Sequence, residues 1–459
     1  MVLASRMVCH GCGWTAPDDD PYPFRCHNAR EGDDIDHLLT RQLDVTALGH
    51  DTAEWRSIFL DSEFNPFLRY RELFHSYRVA RAGGLSDDAF VGIVRRLNDA
   101  IAAVDGKGFR ITPYAASHGL AAAAGVEPPA ELWIKNETGN VSGSHKARHT
   151  MGLMIWLQVM EALGRIPDSD RSRPLAIASC GNAALGAAVV AKAAGRTLQV
   201  FIPTDADASV VQRLEELGAQ IHICPRHPGI PGDPTYHAFQ EAVASGALPF
   251  TCQGNENGMT IEGGKTLGWE MVSATLRGAP LPDRLLLQVG GGALGSAVIQ
   301  ALFEAKALGL IARLPVIDAV QTEACHPLER AWRRLLEKAD GNSGRALELL
   351  PYAAAHRHEF MWAWKTPPHS IAHGILDDET YDWVEMLRGV LATGGRVMVV
   401  GEDPLALAFE RVHELTPIPV CHTGGAGLAG LLGEPMARGG ESNPVTALLL
   451  TGKARGQAP

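Results

Sequence analysis

Short apolar runs separated by longer stretches of small residues set the rhythm of this chain. Leu132-Trp133-Ile134, Leu175-Ala176-Ile177-Ala178, Thr197 to Pro203, Ala219 to Ile223, Leu285 to Val289, Pro315 to Val320 and Arg396 to Val400 are each brief and mostly aliphatic. Because they are apolar throughout rather than alternating, they read as buried parallel strands, with crossover helices in the alanine-rich stretches between them. The pattern predicts an α/β fold of two open parallel-sheet units, a smaller one over 150–264 and a larger one combining 41–149 with 265–432. Residues 41–104 read as helical, broken at Phe64-Asn65-Pro66 and reopened at Leu85-Ser86-Asp87-Asp88 as a capped helix start. Residues 1–40 form a cysteine-bearing segment rich in Asp and Pro, and 433–459 read as a glycine-rich tail, loose at its end.

Three strand-to-helix junctions carry candidate chemistry. After the first apolar run comes Glu137-Thr138-Gly139-Asn140-Val141-Ser142-Gly143-Ser144-His145-Lys146, which delivers Lys146 to a helix start. A lysine amine there can form a Schiff base with an aldehyde, and an aldehyde cofactor would need a phosphate cradle and ring contacts elsewhere. A cradle is offered by Gly290-Gly291-Gly292-Ala293-Leu294-Gly295-Ser296 after the run ending at Val289. Glycines let backbone approach an anion, and the following helix N-terminus favours negative charge. The same letters fit G-x-G-x-x-G with Asp318 further on, so a dinucleotide site, and a nucleotide-dependent oxidoreductase, is the competing reading. The third junction, Ser179-Cys180-Gly181-Asn182, offers N–H donors to a substrate carboxylate and the Asn182 amide to a phenolic oxygen. Taken alone, it reads equally as a capped helix packed on its sheet.

Together and in this order, the motifs resemble the fold-type II pyridoxal-phosphate enzymes, the family of tryptophan synthase β, threonine synthase, cysteine synthase and the serine/threonine dehydratases. The resemblance runs from Ile111-Thr112-Pro113-Tyr114 through Gly143-Ser144-His145-Lys146, most similar to tryptophan synthase β, to Val420-Cys421-His422-Thr423-Gly424-Gly425. Ile261-Glu262-Gly263-Gly264-Lys265-Thr266 is similar to a stretch on the threonine synthase side, the branch the chain resembles most. The resemblance implies pyridoxal 5'-phosphate as cofactor, with Lys146 as Schiff-base lysine and acid-base, and His145 facing the phosphate. It implies Gly290 to Gly292, Ala293, Leu294, Gly295 and Ser296 around that phosphate, Asn182 at the ring oxygen and Thr423 at the pyridine nitrogen. A neutral hydroxyl at that nitrogen suits elimination and replacement better than transamination. The implied reaction is a lyase acting on a small amino acid, by α-proton abstraction and β-elimination to an aminoacrylate that yields keto acid and ammonia. A threonine synthase-like or β-replacement synthase is the alternative, and a homodimer is the family's habit.

Other residues take plainer readings. Glu137 reads as a solvated or paired surface residue, Glu262 as an acid favoured in a helix's first turn, and Arg148 as an ion-pair partner rather than a substrate clamp. Ser144 reads as a helix cap that could also donate to a reacting group. The segment Lys365 to Asp378, containing Ser370-Ile371-Ala372-His373-Gly374, is the candidate for substrate selectivity. Cys9-His10-Gly11-Cys12, with Cys26 and a fourth ligand among His10, His27 and His37, could bind zinc. The net charge of −11, from 41 basic and 52 acidic residues, disfavours nucleic acid and anionic membranes as partners. Scattered cysteines and the absence of a long apolar stretch predict a cytoplasmic protein.

Overall fold

The computed structural model describes residues 3–30, 32–226, 233–433 and 444–455. Its strands form three sheets. The largest runs in the order Val397–Val400, Val316–Thr322, Arg284–Gln288, Val445–Leu450, Glu131–Asn136 and Tyr114–Ala116, parallel at every pairing except the last. A second, wholly parallel sheet orders Gln220–Ile223, Leu198–Ile202, Leu175–Ala178 and Leu248–Pro249. Ser5–Cys9 and Leu39–Leu43 make an antiparallel pair near the N-terminus. The α/β class follows from the sequence pattern: Leu285, Leu286 and Leu287 are wholly buried, as strands covered by helices on both faces must be. Among the described residues, no helix is long and apolar enough to cross a membrane.

Three expectations are corrected. The segment assigned to the tail contributes Val445–Leu450, a strand hydrogen-bonded between Arg284–Gln288 and Glu131–Asn136 in the middle of the large sheet. The run at Gln220–Ile223 is an edge strand rather than a buried one, with Ile223 63% exposed. Glu137 is not a surface residue: it is fully buried, its Oε2 accepting from Arg148 Nε at 2.8 Å.

The Arg148 guanidinium also reaches Glu270 Oε1 at 2.6 Å, and Glu270 Oε2 accepts from Lys135 Nζ at 2.6 Å. Burial alone would raise the Glu270 pKa, but the Arg148 and Lys135 charges outweigh it and hold the carboxyl below its usual range. The motif Ile261–Thr266 finds its use here rather than in chemistry. A Cβ on Gly263 would strike the Arg148 carbonyl, and one on Gly152 would lie 2.9 Å from Gly263 Cα, so these glycines let helices Lys146–Ala162 and Thr260–Leu276 cross in backbone contact. Thr266 Oγ1 accepts from Arg148 at 2.9 Å, Lys265 pairs with Glu304 at 2.8 Å, and Glu262 lies 3.7 Å from Arg41.

Candidate functional site

Lys146 is delivered as the sequence implied, by strand Glu131–Asn136, a tight loop and the start of helix Lys146–Ala162. The loop is pinned at several points. Ser142 (φ 56°) and Gly143 (φ 74°) take left-handed backbone, Asp105 Oδ2 accepts from Ser142 N at 2.9 Å, and Asn140 donates to Glu137 at 2.7 Å. Ser144 is buried, and its Oγ accepts from Lys146 N at 3.3 Å in a local turn just before the helix, whose N-cap is His145 with no side-chain cap. Lys146 itself is half-buried.

Two glycines bring the other junctions to this lysine. A Cβ on Gly186 would lie 2.9 Å from Ala147 N, so helix Asn182–Ala193 packs against the first turn of the lysine helix and sets Ser179, Cys180, Gly181 and Asn182 beside it. Gly452, just beyond the unexpected central strand, bridges to Ser144; a Cβ there would meet Asn182 Nδ2 at 2.7 Å and Cys421 Sγ at 2.9 Å. The lysine loop, the Asn182 turn and the start of the Thr423-bearing helix His422–Gly433 therefore converge on one residue without a side chain. The Asn182 amide oxygen accepts from Arg455.

The glycine turn Gly290-Gly291-Gly292 runs from strand Arg284–Gln288 into helix Ala293–Ala307, with Gly292 at φ 96°. It already holds a carboxyl group of the protein. Gly291 N donates to Asp377 Oδ2 at 2.8 Å, and a Cβ on Gly290 would strike that carboxylate and lie 2.8 Å from Ile375 Cα. Upstream in segment 365–378, which forms a strap over the turn, Gly374 N donates to Thr423 Oγ1 at 3.0 Å. The segment proposed for selectivity thus lies across both the glycine turn and Thr423. Downstream, Asp382 donates its backbone N–H to the Gly291 carbonyl at 3.0 Å.

Sequence reasoning included Asp377 only as part of the selectivity segment, without its contact to the glycine turn, and missed Asp382. Burial raises Asp377, partly offset by the Lys146 charge, and pushes the Asp382 carboxyl, whose two oxygens have no hydrogen-bond partner among the described residues, up to about 8. His145 stands with Nδ1 3.4 Å from the Thr451 carbonyl, and its buried Nε2 has no partner among the described residues. Burial, then the Lys146 charge, holds its pKa well below the usual range, so it is a neutral imidazole. Burial also raises the Cys180 thiol, with Asp205, Asp233 and Asp207 adding to the effect.

The dinucleotide reading needs a free carboxylate, and Asp318 does not supply one. It is 2% exposed, ion-paired with Arg284, and accepts from Arg396 N at 2.9 Å. Away from this site, Cys9, Cys12 and Cys26 do come together, and His37 joins them while His10 and His27 do not.

Residues 107–452 match the family described as "Pyridoxal-phosphate dependent enzyme". Threonine synthase of Methanocaldococcus jannaschii is 22% identical over 307 residues, 66% of this chain and 64% of that protein. The serine dehydratase-like protein of Rattus norvegicus is 28% identical over 225 residues, 48% of this chain and 59% of its own length. The chain thus spans about three fifths of the length of these curated relatives. Among solved structures, the threonine deaminase of T.th. superposes with a TM-score of 0.57 at 21% identity, covering 80% of this chain and 99% of its own. Diaminopropionate ammonia lyase from Escherichia coli gives 0.57 at 18%, covering 86% and 92%. These likenesses show the fold.

Proposed function

Because the chain belongs to the pyridoxal-phosphate-dependent enzyme family, we propose that it is an amino-acid lyase that binds this cofactor through Lys146 and eliminates a β-substituent from a small amino acid, releasing keto acid and ammonia. One observation carries the reading: Lys146, the Ser179–Asn182 turn, the Thr423 helix and a carboxyl-holding glycine turn meet at one place. The residues fit the group. A carboxylate oxygen already on the Gly291 N–H indicates that the turn accepts an oxyanion, and the unpartnered His145 Nε2 offers a further neutral contact.

The glycine turn and Ser296 would hold the phosphate, Asn182 the ring oxygen and Thr423 the ring nitrogen. When bound, the cofactor supplies an electron sink next to the substrate α-carbon. Lys146 Nζ takes the α-proton and can return it, while the N–H groups at Ser179–Asn182 orient the carboxylate. The strap over Thr423 and Gly291 excludes water.

The charges facing this region favour a lyase over a synthase acting on a phosphorylated substrate. Asp205, Asp207 and Asp233 act on Cys180, in the turn that would take the substrate carboxylate, so a phosphate-bearing substrate would meet repulsion there. A cytoplasmic location and a homodimer are the accompanying expectations; the eight free cysteines accord with a reducing compartment, and the dimer rests on the family's habit alone. The test is a visible spectrum of the purified protein with a panel of amino acids, following keto acid and ammonia. An amino acid that shifts the band and yields both products identifies the substrate; band shifts without keto acid would replace the lyase by a synthase.

Asp377 must give up its place for a phosphate to enter. Its charge-assisted hydrogen bond to Gly291 contributes about 1.5–3 kcal/mol. Asp377→Ala is therefore expected to tighten pyridoxal phosphate by about tenfold or more, since each 1.4 kcal/mol is about a factor of ten. Pyridoxal, which lacks the phosphate, should bind both proteins alike. Absorbance titration of the cofactor-free proteins checks this, and equal or weaker phosphate-dependent binding in the variant rejects it.

A further inference from the structure

We infer that Cys9, Cys12, Cys26 and His37 Nδ1 form a tetrahedral zinc centre that fastens the N-terminal segment to the flanks of the strap over the glycine turn. The inference goes beyond the reading of the reaction and does not depend on it.

The four ligand atoms all lie within 4.8 Å of one another. Cys12 Sγ and Cys26 Sγ are 3.6 Å apart, and Cys9 Sγ is 3.5 Å from His37 Nδ1. Zinc–sulfur bonds of about 2.3 Å at tetrahedral angles place sulfurs about 3.8 Å apart. The observed spacing therefore suits shared coordination, whereas a disulfide would need about 2.05 Å.

Local backbone builds the cage. Cys9 ends strand Ser5–Cys9, where its N–H donates to the Trp14 carbonyl at 2.8 Å and its carbonyl accepts from Gly13 N at 3.0 Å, closing a tight knuckle with Gly13 at φ 73°. A Cβ on Gly11 would strike Ile35 and lie 2.6 Å from the Asp36 carbonyl, so only glycine lets the knuckle sit against the stretch leading to His37.

The structure also chooses among the three histidines the sequence left open. His37 Nε2 lies 2.8 Å from Asp33 Oδ2; with Nε2–H donating to that carboxylate, Nδ1 carries the lone pair that faces Cys9. A carboxylate behind a ligating histidine fixes its tautomer and ring orientation and raises its basicity. His10 Nε2 instead faces Glu385 at 3.4 Å, and His27 packs against Trp14 with the rings tilted by 31° and its Nε2 3.6 Å from Asp20.

The segment so cross-linked holds the strap from both sides. Asp36 N donates to the Ala354 carbonyl at 2.7 Å, Arg357 N to the Asp34 carbonyl at 2.8 Å, and His358 N to Asp34 Oδ1 at 2.7 Å. These anchors precede Asp377 in the chain, and the His10–Glu385 contact follows Asp382. Ala4, Met7, Phe24 and Leu39 pack into the main apolar core, and a metal cross-link would add to that by fixing the cysteine knuckle to the stretch bearing His37.

The test is metal analysis of purified full-length protein and variants, with cobalt(II) as spectroscopic probe. About one zinc per chain is expected, and cobalt should give the intense sulfur-to-metal charge-transfer band and strong visible bands of a tetrahedral thiolate site. His37→Ala and Cys12→Ser should lose most of the metal and speed hydrogen exchange over 354–385. His37→Cys should restore metal binding, and His10→Ala and His27→Ala should retain it. Wild-type protein without stoichiometric zinc and without a cobalt charge-transfer band would overturn the centre. Full metal in His37→Ala would overturn the ligand assignment, and unchanged exchange over 354–385 on metal loss would overturn the fastening role.

Discussion

A Lys146→Ala protein is expected to be colourless with pyridoxal phosphate, to take up no reducible cofactor on borohydride treatment, and to turn over at least about a thousandfold more slowly. The magnitude combines loss of covalent attachment with loss of an acid-base group, each of which commonly contributes a factor of about a hundred or more. Perturbed pKa alone would nominate another lysine: burial lowers Lys265 to about 8. Geometry decides against it. Lys265 is ion-paired to Glu304 at 2.8 Å and Lys135 to Glu270 at 2.6 Å, both wholly buried, whereas Lys146 stands half-buried where the Asn182 turn and the Thr423 helix meet. A small added amine should restore part of the α-proton exchange in Lys146→Ala, because a free base can stand in for a missing one. Undiminished borohydride incorporation in the variant would move the attachment to a different lysine and dissolve the proposed site.

What could be read from the sequence was whatever sits on contiguous residues. Lys146, the glycine turn and the Asn182 turn each carry their strand, loop and helix within one short stretch, so periodicity and turn chemistry were enough to place them. Glu137 could not be placed because its burial is set by Arg148 and by Thr112, which donates to it, and the hydrophobic pattern does not encode that convergence. Asp377 lies 86 positions from Gly291, so nothing local tied them. The available signal was its place inside segment 365–378, already singled out for selectivity. Val445–Leu450 was lost to a different ambiguity: a short apolar run near a chain end looks the same whether it frays or is inserted as a central strand. For His37 the discriminating neighbour was within reach, since Asp33 precedes it by four, but three histidines shared the segment and only the fold separates them.

Arg148→Met should be the most destabilising single substitution near the site, costing about 3–5 kcal/mol, because it leaves two buried carboxylates facing only Lys135. Glu137 and Glu270 are both wholly buried, and both bond the same guanidinium. Their charges outweigh the burial that would otherwise lower the Arg148 pKa and instead raise it, so the guanidinium stays charged. Removing the cation forces at least one carboxyl to protonate or to draw water into a region packed by Thr112, Thr266 and the helix crossing at Gly263. Denaturant unfolding of the cofactor-free protein checks the size. The exposed pair Arg411–Glu414, at side-chain exposures of 42% and 58%, provides the scale, since breaking it should cost no more than about 1 kcal/mol. Arg148→Met combined with Glu137→Gln should be less damaging than the sum of the single changes, because the double variant leaves one fewer unpaired charge. This separates a scaffold role from a substrate role two residues from Lys146. A scaffold predicts lost stability with KM nearly unchanged in the folded fraction, whereas a large rise in KM with stability intact would mean that Arg148 binds substrate after all.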